Sequence, residues 1–237
     1  MSRKLLTEVI GTFFLVLTIG LTVTAGLPLA PVAIGTALMV MVYMGGAVSG
    51  AHYNPAVTTA VWLRGKIGAV EAVEYMAAQV AGAVLAALAV YGIVGKTFMP
   101  APAPSATPVA VLAVEVLFTF ALCLVVLNVA TARATEGNSY FGLAIGMTVM
   151  VGAFAGGPIS GGAFNPAVGL GPALVTAAFG GGSIASLWYY LAGPLAGGIL
   201  AAAVFRVQNP TETIPVAVPF PAGLKQAEGE PAAVQQA

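Results

Sequence analysis

Ser49-Gly50-Ala51-His52-Tyr53-Asn54-Pro55-Ala56-Val57 and Ser160-Gly161-Gly162-Ala163-Phe164-Asn165-Pro166-Ala167-Val168 are the same phrase written twice, 111 residues apart, and their reading decides the fold. Each copy interrupts an apolar sequence with a glycine-rich stretch, then Asn-Pro-Ala, then a run of helix formers. Residues outside the phrase repeat with it. Ala33-Ile34-Gly35 returns as Ala144-Ile145-Gly146, and Glu8 returns at a similar offset as Glu115. Paired interruptions at matching places in two halves predict a duplicated membrane unit with a midplane site built from half-helix ends.

The composition demands a bilayer. Charged residues are 7% of the chain and apolar residues 59%, with a mean hydropathy of +0.98. A soluble surface needs far more charge, so the chain reads as a polytopic membrane protein. Eight basic against eight acidic residues give no field to recruit nucleic acid. The single cysteine, Cys123, forms neither an internal disulfide nor a metal cluster. One His, one Cys and no Asp supply no nucleophile–base pair, so neither an enzyme, a metal site nor a cofactor is expected.

Six apolar stretches are long enough to cross: 5–25, 32–48, 70–94, 109–131, 141–155 and 184–205. The first exceeds the apolar core of a signal peptide and lacks a convincing cleavage site, so it reads as a span. A helix over 5–25 reaches roughly 31 Å, the thickness of the hydrocarbon core. Two shorter pieces, 54–63 and 165–179, are each about half a span; entering from opposite faces, they meet as one composite seventh. Their irregular backbone then sits at membrane depth, where it must line a wet cavity or be buried in protein. With the N-terminus in the cytoplasm, Arg3, Lys4, Arg64, Lys66, Arg133, Arg206 and Lys225 fall inside and Lys96 alone outside. Three full spans per repeat make the halves, about 4–94 and 109–206, inverted copies within a channel domain of 1–206. Alanine and glycine at four-residue spacing (Ala78, Gly82, Ala86; Gly193, Gly197, Ala201) allow close helix packing. The four-proline connection 96–108 is expected over the outer mouth, and the Gln-, Glu- and Pro-rich 207–237 reads as a disordered cytoplasmic tail.

Asn-Pro opens a helix well. Asn caps by accepting a backbone N–H, and Pro55 or Pro166 at the first helical position loses nothing by lacking its own. Each capping side chain keeps its NH2 as a donor, so Asn54 and Asn165 are expected to face each other at the positive ends of both half-helices. The stretches Gly50, Ala51, His52, Tyr53 and Gly161, Gly162, Ala163, Phe164 offer a ladder of carbonyl acceptors. Donors beside acceptors suit neutral hydrogen-bonding molecules, whereas a cation meets two positive dipole ends.

These paired phrases, the Glu of the first and fourth spans and the six-plus-two-halves layout resemble the aquaporin and glycerol facilitator family over about residues 4–206. The resemblance implies an all-α membrane protein, an aquaporin-like inverted repeat of six transmembrane helices plus two re-entrant half-helices. It implies a homotetramer, each subunit conducting water or small neutral solutes passively across the lipid bilayer. It gives Glu8 and Glu115 a structural role, accepting hydrogen bonds from the re-entrant loops.

The departures from the family pattern carry information too. Alignment through Gly35 and Gly146 puts the family's outer constriction at Ile34, Ala153, Gly162 and Val168. Water-selective members typically have an aromatic, a His, a small residue and an Arg there; this chain has Val168 in place of the arginine, as some plant vacuolar relatives do. The acidic residue that often follows in glycerol facilitators is Gly169. A wide, uncharged ring makes glycerol and other polyols, urea or ammonia plausible solutes, and leaves a leaky ion or weak-acid channel as the alternative. His52 has two readings, a pore-facing pH switch or a buried imidazole pinning its loop, and the resemblance favours the second. Cys123 reads as a packing residue, and Tyr43, Tyr53 and Phe164 as lumen or core. Short loops without a targeting sequence point to a prokaryotic inner membrane.

Overall fold

Long runs of Leu, Val, Ala and Phe leave a backbone in lipid no partner but itself, and helices result. The structure, a computed structural model, describes residues 3–212. Among them are α1 (Arg3–Thr24), α2 (Ala30–Ser49), α3 (Pro55–Leu63), α4 (Ala69–Val94), α5 (Pro108–Thr131), α6 (Phe141–Ser160), α7 (Pro166–Val175) and α8 (Leu187–Gln208). Six of these, all but α3 and α7, have the length and apolar composition to cross a membrane.

The order long–long–short–long occurs twice, and the packing repeats with it. α1 lies on α2 and α4 as α5 lies on α6 and α8. The halves are joined by exchange: α3 packs on α8, α7 on α4, and α2 crosses α6. Glycine makes that crossing possible, because a Cβ on Gly35 would meet the Gly146 carbonyl and one on Gly146 the Gly35 carbonyl. The expected small-residue stripes lie at the other tight contacts, Gly82 against the Val9 carbonyl and Gly197 against the Val116 carbonyl.

Some boundaries move. α6 runs past 155 to Ser160, through Pro158, and stops where Gly161 turns left-handed at φ 91° with its N–H on the Gly157 carbonyl. Gly50 ends α2 in the same way, at φ 87°. The apolar piece 165–179 divides into α7 and a π turn, Thr176–Gly180. The expected disordered tail is corrected at its start. Val207 and Gln208 continue α8, and Pro210–Glu212 form a 3-10 turn. Glu212 pairs with Arg64 and accepts the Arg133 N–H at 2.7 Å, so buried charge rather than composition orders this stretch. Residues 213–237 of the expected tail lie outside the described residues.

The connection 96–108 folds inward over one end of the bundle. Phe98 is buried against Gly20, its carbonyl accepts from Thr176 Oγ1 at 2.9 Å, and Ala101 abuts Gly161. Lys4, Lys66 and Arg133 gather at the opposite, basic end.

Candidate functional site

The two Asn-Pro phrases fold as caps. Asn54 Oδ1 accepts from the Ala56 N–H at 2.8 Å and Asn165 Oδ1 from the Ala167 N–H at 2.9 Å, with Pro55 and Pro166 opening α3 and α7. The amide ends are then committed in a way the phrases do not announce. Asn54 Nδ2 donates to the Phe164 carbonyl at 2.9 Å, and Asn165 Nδ2 donates to the Tyr53 carbonyl at 2.9 Å. Each repeat thus closes the loop of the other. An NH2 has two hydrogens, so each asparagine keeps one donor beyond this reciprocal tie.

Glu8 and Glu115 fix the loops from behind. Glu8 Oε1 accepts from Ser49 Oγ (2.6 Å) and the His52 N–H (3.1 Å), and Oε2 from the Tyr53 N–H (2.7 Å). Glu115 takes the matching set from Ser160 Oγ (2.7 Å), the Ala163 N–H (3.1 Å) and the Phe164 N–H (2.8 Å). Tyr75 and Tyr190 donate to the Ser49 and Ser160 carbonyls. With the loop N–H groups turned to the glutamates, the carbonyls face the other way. Those of Gly50, Ala51, His52, Gly161, Gly162 and Ala163 accept no hydrogen bond from the described residues, whereas Tyr53 and Phe164 give theirs to the asparagines. The ladder therefore has its free rungs at the first three positions of each loop.

One cavity of about 410 Å3 joins these parts. Asn54 and Asn165 line it together with Ile34, Ala153, Gly162 and Val168, and Phe98 to Ala101 of the outer connection close its far side. A second cavity, of about 800 Å3, opens among Lys4, Lys66 and Arg133 at the basic end. His52, Ile145 and Val126 touch both. The side chains of Tyr53 and Phe164 are core: the Tyr53 hydroxyl donates to the Met41 carbonyl at 2.9 Å, and the Phe164 ring lies 5.4 Å from that of Phe118. Tyr43 is exposed and lines neither cavity, and Cys123 is fully buried.

The two loops differ in their support. Gln79 Nε2 donates to Glu8 Oε2 at 2.8 Å and to Thr58 Oγ1 at 2.9 Å. Thr58 Oγ1 in turn lies 3.1 Å from His52 Nδ1. Gln79 fills one lone pair of the Thr58 oxygen, which keeps a second lone pair and its own hydrogen for Nδ1, the direction of that bond following the imidazole tautomer. His52 also packs on Tyr75, ring centres 5.1 Å apart, so it braces the loop and borders both cavities. Sequence reasoning missed Gln79 and Thr58. Counted from the Tyr75–Tyr190 pair, the counterpart of Gln79 is Pro194, and counted from the Asn54–Asn165 pair, that of Thr58 is Gly169, so no repeat flags them. Ser49 and Ser160 carried a signal, since both open the repeated phrase.

The chain matches the family described as Major intrinsic protein over residues 1–205. It is 37% identical over 215 residues to Aquaporin NIP1-1 of Oryza sativa subsp. japonica, covering 86% of this chain and 74% of that protein. It is 38% identical over 222 residues to Glycerol uptake facilitator protein-like 6 of Lactiplantibacillus plantarum, covering 87% and 98%. The aquaglyceroporin from Plasmodium falciparum superposes with a TM-score of 0.79 at 23% identity, over 89% of this chain and 98% of that one. That last likeness speaks for the fold.

Proposed function

The chain belongs to the major intrinsic protein family, and from that premise we infer that it is a passive channel for water and small uncharged solutes such as glycerol. The observation that carries the reading is the reciprocal pair Asn54–Phe164 and Asn165–Tyr53, set in a cavity whose other polar surface is free backbone carbonyl. A solute oxygen accepts from the remaining asparagine N–H groups. Its hydroxyl or amide hydrogens go to the carbonyls of Gly161 to Ala163 on one side of the asparagines and Gly50 to His52 on the other. Ile34, Val168 and the other apolar side chains carry its carbon face. Cations meet the N-termini of α3 and α7.

In this reading Asn54 and Asn165 are the pore centre and Ile34, Ala153, Gly162 and Val168 the outer ring. Pro55 and Pro166 set the half-helices, and Glu8 and Glu115 hold the loops. The ring has no arginine, which supports passage of glycerol, other polyols, urea or ammonia beside water. The same absence motivates a second reading, a leak for ions or weak acids. The basic residues at one end support cytoplasmic termini, and the short connections a prokaryotic inner membrane. The family likeness supports a homotetramer, as does the exposed apolar face of α1 and α2 around Phe14, Leu29 and Val32.

Stopped-flow light scattering on proteoliposomes tests the whole. Water, glycerol and urea are each expected to equilibrate faster than in protein-free liposomes, with an internal pH dye silent under a proton gradient. Equilibration no faster than in empty vesicles rejects the channel; a dye response selects the leak.

A further inference from the structure

The offset that superposes the two Asn-Pro-Ala phrases also pairs every member of the outer ring with a residue on the basic side of the asparagines. Ile34 pairs with Ile145, Ala153 with Val42, Gly162 with Ala51 and Val168 with Val57. An inverted repeat that builds one ring therefore builds a second, and the second is bulkier: Val42 stands for Ala153 and Ala51 for Gly162. His52 adds an imidazole where the outer side has Ala163.

The cavity lining changes close to where this count places it. The 410 Å3 cavity passes without interruption along all four outer-ring residues and both asparagines, and on to Ala51 and Val57. Val42 lines only the cavity at the basic end. The two spaces meet at Ile145, His52 and Val126, which border both. The backbone gives an independent sign. Ala51 has φ 52°, the left-handed region, at the position where the second repeat uses Gly162 with φ 65°. A methyl there costs strain that glycine avoids, and Ala51 is buried, 6% exposed, lining the 410 Å3 cavity next to His52.

We propose that Val42, Ile145, Ala51 and Val57, with His52 at their edge, form a second apolar collar on the basic side of the asparagines, and that this collar, not the outer ring, sets the largest solute the channel passes. The proposal rests on the channel reading above. A solute narrower than the collar crosses after shedding part of its hydration onto the carbonyls of Gly50 to His52; a wider one is stopped by the side chains of Val42, Ile145 and Val57.

The test uses the full chain in proteoliposomes with water, glycerol and the four-carbon polyol erythritol. Ala51→Gly keeps the left-handed turn without its strain, so it folds; Val42→Ala copies the outer ring's Ala153. Each is expected to raise erythritol flux relative to water about fivefold, close to 1 kcal/mol off the barrier. Val168→Ala, in the outer ring, is expected to raise that ratio less than either. A rise with Val168→Ala and none with Ala51→Gly puts the cut-off in the outer ring and overturns the proposal, as does an unchanged erythritol-to-water ratio in all three. Wild type no faster than empty liposomes for water and glycerol rejects the channel reading itself. A purely structural role for Ala51 or Val42 moves all solutes together and leaves the ratio fixed.

Discussion

At Val168 the chain places a short uncharged side chain, 4% exposed, one turn into α7 and beside the cavity. Val168→Arg puts a long cation there. Water flux is expected to stay within about threefold of wild type while glycerol flux falls at least about tenfold, because a charged narrow ring raises the dehydration cost of the larger solute by more than about 1 kcal/mol; stopped-flow traces with both solutes read it. Asn165→Asp is a subtler change. A carboxylate still caps α7 through the Ala167 N–H, but it cannot donate to the Tyr53 carbonyl, and it sets an anion at two positive helix ends. Neutral flux is expected to fall and a cation-dependent current to appear in planar bilayers, with Asn54→Asp behaving alike because the tie is reciprocal. The caps were legible in the sequence because Asn-Pro is local chemistry. The carbonyls that take the amides were not, since a partner 110 residues away is set by tertiary packing. Gln79 was hidden for another reason, having Pro194 as its counterpart.

Helix against helix, the crossing of α2 and α6 is the least forgiving contact. Gly146→Val adds a branched side chain where even a Cβ meets the Gly35 carbonyl, so the helices must separate. The expected cost is at least about 3 kcal/mol, the upper end of overpacking penalties. Fluorescence-detected gel filtration should show loss of the folded peak, while Gly92→Ala, at a glycine with open space around it, leaves the peak intact. Apolar length placed all six crossing helices and the two half-helices. Their ends were less legible. Residues 156–160, Gly-Gly-Pro-Ile-Ser, have the composition of a loop, yet α6 runs through them because Gly156 packs on Phe164 and Val114, and only Gly161 supplies a left-handed stop.

For the molecule as a whole, duplication was readable from one phrase, and with it the inverted halves. The clasp at the basic end was not, because Arg64 and Glu212 lie 148 residues apart and neither belongs to the repeated phrase. Arg64 is 7% exposed, stacks 4.8 Å from the Phe205 ring and reaches both the carboxylate and the carbonyl of Glu212. Glu212→Ala leaves a buried guanidinium without its anion. Thermal unfolding in detergent is expected to show a loss of about 2–3 kcal/mol, the range for a broken charged hydrogen bond; glycerol flux at low temperature should be unchanged. The exchanged asparagine ties have a consequence for synthesis as well. A ribosome has threaded the first four helices into the membrane long before Phe164 exists, so until then Asn54 lacks its carbonyl and the Tyr53 carbonyl its amide. Half of the chain cannot finish even half of the passage, and a nascent protein stays sealed or shapeless at its centre until the second copy arrives to complete the first.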